Sequence, residues 1–280
     1  MKCVVLVKGV PDFREGKVSF KEDNTLNRGA TPTVLNPNDR LALAAALEIK
    51  VKHGGNVSVV SMGPPNYKSI LKEAMEVYGD DAYLLSDRIM GGADTLATAE
   101  TIAAGLRKIG LPDLVIAGFK SADGETGQTG PQAAWVLDYP VITHVISLEV
   151  DPAAKKVRAR RSAGEDIEEI EAPLPCFIVT DPGFTSTFRN ATHRLKLLQL
   201  VDETVKRAQT IDAVFKQWSA ADLGADLKKI GLKGSPTIVS KVEPIPTAAK
   251  ERTAKVVDGK SEKDLEEVAK RIIQLVKGVA

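Results

Sequence analysis

A polar, glycine-containing loop carries the residue types best suited to binding a phosphate group. It spans DGETGQTGPQ (123–132) and follows the apolar run DLVIAG (113–118), which predicts a buried strand. Glycines let a backbone approach a ligand closely, and threonine and glutamine side chains supply neutral hydrogen-bond donors. Pro131 predicts the start of a helix, whose first free N–H groups favour an anion. Phosphate binding is therefore expected, with a plain strand-to-helix turn as the alternative. The residues concerned are Gly124, Thr126, Gly127, Gln128, Thr129 and Gly130.

The segments around this loop predict an α/β fold. Short apolar runs alternate with segments of helical period over the first two thirds of the chain. This alternation indicates βαβ units and a doubly wound, mostly parallel, Rossmann-like sheet that is covered on both faces. A hairpin with one basic and one acidic arm is predicted as an excursion at 155–173. The predicted strands are 2–10, 56–62, 82–86, 113–118, 140–150 and 175–181, and the predicted helices are 36–55, 66–79 and 94–110.

Three further loops would lie beside the first one in such a sheet. Residues 8–12 follow the first strand, 36–39 begin the first helix, and 61–64 follow the second strand. Ligands of open α/β sheets bind outside the carboxyl ends of the strands, and parallel strands would gather these loops at that edge. Together they predict a nucleotide cradle. The glycine loop matches neither G-x-x-x-x-G-K-[ST] nor G-x-G-x-x-G, so it predicts neither a nucleoside triphosphatase nor an NAD(P) enzyme.

No catalytic or metal-binding constellation is predicted. The three histidines, His53, His144 and His193, are far apart in sequence and lack the spacing of metal ligands. The sequence contains no Gly-x-Ser-x-Gly motif and no C-x-x-C pair. Asp123 and Glu125 lie in a predicted turn, where capping and solvation are the expected roles of a carboxylate. Any chemistry would belong to a bound cofactor, and the sequence leaves open whether the chain is an enzyme.

Composition and charge indicate an ordinary soluble protein. The 280 residues are 43% hydrophobic and 27% charged, with a formal net charge of +1, so no bulk attraction to nucleic acid or to an anionic membrane is expected. No segment approaches the roughly 20 apolar residues that span a bilayer, and the N-terminus lacks the pattern of a secretory signal. Cys3 and Cys176 lie in strand-like runs, which predicts buried thiols in a reducing compartment. We therefore expect a cytoplasmic protein without membrane insertion.

Two regions that differ in composition and hydrophobic pattern predict two domains. Residues 1–204 form the expected nucleotide-binding domain, and 205–280 form an extended C-terminal arm that ends in a helix. The stretch 231–259 holds three prolines and little that could build a core. Ser261 and Asp264 predict the start of the last helix, whose apolar stripe must dock on another surface. A partner subunit is the expected surface. The stripe consists of Leu265, Val268, Ala269, Ile272 and Val276.

Several of these segments resemble the beta subunit of electron transfer flavoproteins. They are VVLVKGVPD, NPND, VSMGPP, GADTLATA, ADGETGQTGPQ and, near the C-terminus, WSAADLGADLKKIGLKGSPTIV. The resemblance implies an α/β domain that pairs with a larger alpha subunit in a heterodimer, with the arm and last helix around the assembly. Helix capping alone is the alternative role for Asp94 and Thr95. The nucleotide-binding residues that the resemblance implies are Leu6, Val7, Lys8, Gly9, Asn36, Asp39, Met62, Gly63, Asp94, Thr95, Thr98, Asp123, Gly124, Glu125, Thr126, Gly127, Gln128, Thr129, Gly130 and Gln132.

The resemblance leaves two cofactors open. Conventional members hold AMP in the beta subunit as a structural ligand, whereas electron-bifurcating members hold FAD there. The Gly-x-Thr and Gly-Pro elements of the loop look more like the bifurcating forms, which favours FAD over AMP. FAD would accept electrons from NADH and divide them between a high-potential flavin and a low-potential acceptor such as ferredoxin or flavodoxin. A non-redox nucleotide-binding regulatory module is the alternative from another class.

One segment departs from the family pattern. Conventional members carry a recognition loop with a leucine-proline pair followed by several lysines. The corresponding residues, FTSTFRNATHRLKLLQL (184–200), contain no proline and one lysine. Docking to acyl-CoA dehydrogenases is therefore in doubt, and the dehydrogenase partner stays open.

Overall fold

The computed structural model of the chain describes residues 1–12, 32–77, 79–186, 211–238 and 261–277. The chain divides into two compact units, Met1–Val242 and Glu243–Ala280. The strands of the described residues are β1 (Lys2–Leu6), β2 (Gly9–Pro11), β3 (Thr33–Leu35), β4 (Asn56–Met62), β5 (Asp81–Leu85), β6 (Leu114–Ala117), β7 (Val141–Asp151), β8 (Lys156–Ala163), β9 (Asp166–Pro173), β10 (Cys176–Thr180) and β11 (Phe215–Trp218). The α-helices are α1 (Pro37–His53), α2 (Lys68–Val77), α3 (Thr95–Ile109), α4 (Thr129–Leu137), α5 (Ile211–Val214), α6 (Ala220–Leu223), α7 (Gly231–Gly234) and α8 (Glu262–Lys277).

A mostly parallel sheet organises the first unit. Nine of the described strands pair in the order β11-β5-β4-β1-β6-β10-β7-β8-β9. β1 lies parallel between β4 and β6, with Val5 paired to Val59 on one side and Ile116 on the other. Strand β8 runs antiparallel to both β7 and β9, and β8 with β9 forms the predicted hairpin excursion. The predicted α/β, Rossmann-like class is therefore confirmed.

Helices on both faces of the sheet produce two apolar layers. On one face, Leu43 of α1 and Leu71 of α2 pack with Val5 in a single buried cluster. On the other face, Leu106 of α3 and Ala134 of α4 belong to a second buried cluster, which includes Val4, Val115 and Phe177. Because both faces of the central strands are covered, β1 and β6 are continuous apolar runs without alternating polar residues.

Two predicted boundaries at the carboxyl edge were wrong. The first strand, expected over 2–10, ends at Leu6, and Gly9–Pro11 instead pairs with β3 in a separate two-stranded sheet. The chain leaves the large sheet here because the backbone N–H of Lys8 donates to the Asp39 side chain. Helix α4 begins at Thr129, two residues before the expected Pro131. Proline is tolerated there because the first turn of a helix needs no internal N–H bond.

The region after residue 204 contributes to the sheet as well. β11 pairs in parallel with β5 and forms one edge, although the sequence of this region showed no alternation. Trp218 of β11 contacts Tyr83 of β5, with ring centroids 4.9 Å apart. Residues 187–210, which contain the predicted domain boundary and most of the segment that departs from the family pattern, lie outside the described residues. In the second unit, α8 confirms the predicted last helix, and its Leu265, Ile272 and Ile273 are about half exposed.

Candidate functional site

The carboxyl ends of three neighbouring parallel strands define the candidate site. β4, β1 and β6 lie side by side and continue into the loops at 63–64, 7–8 and 118–128. The start of α1 lies at the same edge, because the backbone N–H of Asn36 donates to the carbonyl of Lys8 over 2.9 Å. The glycine loop leads from β6 into α4. Ligands of open α/β sheets bind at this edge.

A buried carboxylate joins the first helix to the end of β1. Asp39 is 6% exposed, its Oδ2 accepts from the backbone N–H of Lys8 (2.8 Å), and its Oδ1 accepts from Asn36 Nδ2 (2.9 Å). Burial raises the pKa of Asp39 to about 7, and the negative charge of Asp123 adds to the rise. Hydrogen bonds from Asn36 and Lys8 and the charge of Lys8 oppose that rise in pKa. Asp39 therefore holds the start of α1 against β1.

Glycine is required at the end of β6 by this arrangement. A Cβ on Gly118 would overlap Asp39 Oδ1 and would lie 2.7 Å from the carbonyl carbon of Asn38. Real Cβ atoms do not approach backbone atoms so closely, so any side chain would push α1 away from β6. Gly118 therefore sets the close contact between the first helix and the glycine loop.

Two amide side chains hold the beginning of the glycine loop. Asn36 Nδ2 and Asn38 Nδ2 both donate to the carbonyl of Lys120, over 3.0 and 2.7 Å. Asn36 Oδ1 also accepts from the backbone N–H of Ala122 over 3.3 Å. Asn36 occupies the N-cap position of α1, but its side chain makes no capping hydrogen bond to the helix. This amide therefore holds the loop and does not cap its helix.

An ion pair crosses from β1 to the loop. Lys8 Nζ lies 2.7 Å from Asp123 Oδ1 and 3.3 Å from Ser121 Oγ. The Asp123 side chain is 8% exposed, and its Oδ1 also accepts from the N–H of Gly124. Lys8 and Asp123 therefore compensate each other's charge, and both side chains fix the turn that precedes the tip of the loop.

The tip of the loop is exposed and has a strained backbone. Gly124, Glu125 and Thr126 are exposed, and Glu125 and Gly127 have positive φ angles of 51° and 63°. Glycine adopts that region without the steric cost that other residues carry. Lys120 Nζ lies 3.4 Å from Glu125 Oε2, which gives the tip a second, weaker ion pair.

Gly130 brings the start of α4 close to the sheet. A Cβ on Gly130 would lie 3.2 Å from Val179 Cγ2 and 3.5 Å from Ala117 Cβ. Gly130 is predicted to allow close approach of a ligand, and in the structure a Cβ at this position would face β10 and β6. Its small size lets the N-terminus of α4 lie directly over the strand ends.

A tyrosine ring fills the space beside the first two loops. A Cβ on Gly9 would lie 2.9 Å from the ring of Tyr67, and one on Gly63 would overlap it. Tyr67 is 2% exposed and its hydroxyl donates to the carbonyl of Gly9 over 2.6 Å. Gly9 and Gly63, two of the predicted site residues, are therefore needed for packing around this ring.

The start of α3 contacts the end of the glycine loop, next to the start of α4. Thr95 Oγ1 donates to Gln128 Oε1 over 3.2 Å. Asp94 is the N-cap of α3, and its side chain accepts from the N–H of Ala97 over 2.9 Å. Asp94 therefore caps the helix, which is the alternative role named for it above. Thr98 lies one turn into α3 and donates its backbone N–H to the Asp94 carbonyl.

Two buried oxygen atoms near this edge have no hydrogen-bond partner. Among the described residues, Gln132 Oε1 and Ser61 Oγ are the buried side-chain oxygen or nitrogen atoms in this state. Gln132 lies in the first turn of α4, and Ser61 lies next to the last residue of β4. Buried polar atoms are almost always hydrogen-bonded, so an unpaired one at a cradle fits a ligand that supplies the partner. The residues present therefore fit a ligand that carries hydroxyl or amino donors, as a nucleotide does.

The contacts join eight of the predicted site residues in three groups and add four that were not individually predicted, of which Asn38 lies within the predicted loop 36–39. Direct hydrogen bonds connect Lys8, Asn36, Asp39 and Asp123, and Thr95 with Gln128, while Gly9 and Gly63 meet at Tyr67. No motif marks the added residues, because each acts through a contact between distant segments. They are Asn38, Tyr67, Lys120 and Ser121.

The described part of the chain contains neither a helix suited to crossing a membrane nor a cluster of metal ligands. None of the helices in those ranges is both long enough and apolar enough to cross a membrane. The same ranges contain no group of three or more His, Cys, Asp or Glu side chains that could hold a metal ion.

The fold defines an α/β protein of the Rossmann-like class, with a candidate ligand cradle at its strand ends. A model of the electron transfer flavoprotein domain matches residues 23–206. The electron transfer flavoprotein subunit beta of Clostridium acetobutylicum is 38% identical over 249 residues, which cover 86% of this chain and 87% of that protein. The chain belongs to the electron transfer flavoprotein beta subunit family.

Two further relatives have the same degree of similarity. Protein FixA of Azorhizobium caulinodans is 38% identical over 248 residues, covering 86% of this chain and 84% of that protein. The caffeyl-CoA reductase-Etf complex subunit CarD of Acetobacterium woodii is 38% identical over 245 residues, covering 85% of this chain and 86% of that protein. These similarities extend over most of the chain and over most of each relative, so the family assignment applies to nearly the whole sequence.

Proposed function

We propose that this chain is the nucleotide-binding beta subunit of a cytoplasmic electron transfer flavoprotein that works as a heterodimer with an alpha subunit. The cradle at the carboxyl edge holds an adenine nucleotide, with FAD favoured and AMP as the alternative. The observation that carries the proposal is the unpaired Gln132 Oε1 at the start of α4, beside a glycine loop held open by Asn36, Asn38 and Lys8.

Some residues of the cradle would bind the nucleotide, and others hold the binding residues in position. The backbone N–H groups at the start of α4, near Thr129, and the hydroxyl of Thr126 would hold the phosphates, whereas Gln132 Oε1 would accept a hydrogen bond from a hydroxyl or amino group of the nucleotide. Asp39 and Asn36 fix the first helix and the loop relative to β1, so these donors are in place before the ligand arrives.

The loop accepts an anion without a large cluster of positive charge. Lys8 is paired with Asp123, so its charge is largely compensated within the protein. The remaining attraction comes from the partial positive charge of the α4 N-terminus and from neutral donors. Binding of this kind suits a resident nucleotide that stays bound and is not hydrolysed.

A bound FAD would supply the one- and two-electron chemistry, and the chain would position it and exclude water around it. NADH is the proposed electron donor, and ferredoxin or flavodoxin the proposed low-potential acceptor. One relative is named as a subunit of a caffeyl-CoA reductase-Etf complex, which favours a role in a larger complex with a dehydrogenase or reductase. The segment 184–200 has no proline and only one lysine, unlike conventional members, so we do not assign acyl-CoA dehydrogenase as the partner.

Counting the nucleotides in the native heterodimer tests the proposal. The complex is purified with its alpha subunit, denatured, and its released nucleotides are separated and quantified. Two FAD per heterodimer would support the bifurcating form. One FAD and one AMP would identify the conventional form, and a complex without any adenine nucleotide in the beta subunit would refute the site.

A matched pair of variants locates the nucleotide in this cradle. Gln132→Leu removes the unpaired amide and should lower nucleotide retention. Gln217→Leu, an exposed glutamine on the edge strand β11, is the control and should retain the full amount. Equal loss from both variants, or from neither, would contradict the assignment of Gln132.

A further inference from the structure

Asp94 is bound by residues from two distant parts of the chain. Within α3, its Oδ1 accepts from the N–H of Ala97. From the C-terminal region, Thr237 donates both its backbone N–H (3.0 Å) and its hydroxyl (2.7 Å) to Asp94 Oδ2. The backbone N–H of Asp94 also donates to Ser235 Oγ over 2.8 Å. Partial burial opposes ionisation, but the hydrogen bonds from Ala97 and Thr237 lower the pKa of Asp94 overall.

The segment that reaches Asp94 is seated firmly on the first unit. The backbone N–H of Leu232 donates to the carbonyl of Gly91, just after the 3₁₀ turn Arg88–Met90. Gly231 has a φ of 63°, and a Cβ there would overlap the carbonyl oxygen of Ile89. Ser235 Oγ donates to the Gly231 carbonyl over 2.8 Å. These contacts fix the point from which the chain continues into the second unit.

The same helix start also contacts the glycine loop. Thr95, the residue after Asp94, donates its hydroxyl to Gln128, which directly precedes α4. One end of α3 therefore touches both the predicted nucleotide loop and the root of the C-terminal arm. We call Asp94, Thr95, Gln128, Ser235 and Thr237 the α3 junction.

We propose that the α3 junction couples nucleotide binding to association with the alpha subunit. This inference rests on the proposed function, since it requires a nucleotide in the cradle and a partner that the arm contacts. A nucleotide that fixes Gln128 would also fix Thr95 and the start of α3. That restraint would in turn favour the arm position in which Ser235 and Thr237 are bonded to Asp94.

Thermodynamic linkage makes the effect reciprocal. If the nucleotide strengthens binding of the alpha subunit by a given factor, the alpha subunit strengthens binding of the nucleotide by the same factor. Coupling between two sites in proteins commonly amounts to about 5- to 150-fold in affinity. Ser235 and Thr237 bond Asp94 from the arm side of the junction, so removing their hydroxyl groups should reduce this factor while the glycine loop keeps its own contacts.

The test measures heterodimer affinity with and without nucleotide. Full-length beta subunit, freed of nucleotide, is titrated with the alpha subunit in buffer alone and with saturating FAD or AMP as probes. The variants are Ser235→Ala/Thr237→Val, which removes both hydroxyl groups, and Thr237→Ser, which keeps the bonded hydroxyl. If the double variant does not fold, Thr237→Val alone replaces it, and circular dichroism checks the fold of each variant.

In the wild type, saturating FAD or AMP should raise the affinity of the beta subunit for the alpha subunit by about tenfold, within the usual range of such coupling. In the double variant the factor should fall towards one, although each ligand still binds, and Thr237→Ser should restore it. An equal factor in wild type and double variant would overturn the coupling. A wild-type heterodimer that takes up nucleotide without any change in subunit affinity would overturn it too, whereas a heterodimer that binds no nucleotide would refute the proposed function itself.

Discussion

Replacing Gly118 by alanine should destabilise the protein more than its small chemical change suggests. The added Cβ would overlap Asp39 Oδ1 and lie 2.7 and 2.8 Å from the carbonyl carbon and oxygen of Asn38. Relief requires that α1 move away from the end of β6. Overpacking of this kind costs about 2 kcal/mol. Weakening a hydrogen bond to the buried Asp39 adds roughly 1 kcal/mol, so we expect a loss of about 3 kcal/mol in the free energy of unfolding.

Urea unfolding followed by circular dichroism measures this loss. For a slope of at most about 3 kcal/mol per molar urea, the midpoint should fall by about 1 M or more. Nucleotide retention in the heterodimer should fall as well, because Asn36 and Asn38, which hold the loop at Lys120, move with α1. The two measurements should change together.

Gly124→Ala is the matched control. The nearest atom to a Cβ at this position is Ser121 Oγ at 3.6 Å, an ordinary van der Waals distance. The free energy of unfolding should stay within about 0.5 kcal/mol of the wild type. If Gly118→Ala were as stable as Gly124→Ala, then the contact of Gly118 with Asp39 and Asn38 would not determine the position of the first helix.

Three further predictions concern charges and the last helix. The pKa of Asp39 is about 7 in the folded state against an ordinary 3.8, so the folded protein binds this proton more tightly than the unfolded chain does. Protonation of Asp39 therefore stabilises the fold fully below about pH 4, and this contribution to the free energy of unfolding is lost as the pH rises through about 7. Asp39→Asn should therefore flatten the dependence of unfolding free energy on pH between 5 and 8, and a curve parallel to the wild type would contradict this. A double-mutant cycle of Lys8→Met and Asp123→Asn should give an interaction energy within the roughly 0.5–3 kcal/mol typical of contacting pairs, and additive effects would show that the pair contributes nothing. Deleting 261–280 should weaken the heterodimer in gel filtration, because α8 exposes Leu265, Ile272 and Ile273; an intact complex would refute its docking role.

The sequence determined the order and type of most elements. Apolar runs such as KCVVL and LVIA predicted central parallel strands because both faces of those strands are buried, and no polar alternation interrupts them. Helices α1 and α3, predicted to end at residues 55 and 110, have their C-caps at Gly54 and Gly110, each with a positive φ. The short edge strand β11 was missed because four residues carry too little periodicity to distinguish a strand from a loop.

The sequence also located the candidate site but not the role of each residue. It placed the loops 8–12, 36–39, 61–64 and 123–132 at one edge, because parallel strands leave no other arrangement for them. Tertiary structure decided that Asn36 holds the loop in place of capping its helix, and that Gly130 faces the sheet. It also decided that Asp94 meets Thr237, 143 residues away. Local spacing sets which loops share an edge, whereas the partner of each polar atom depends on which distant segment packing brings within hydrogen-bond distance.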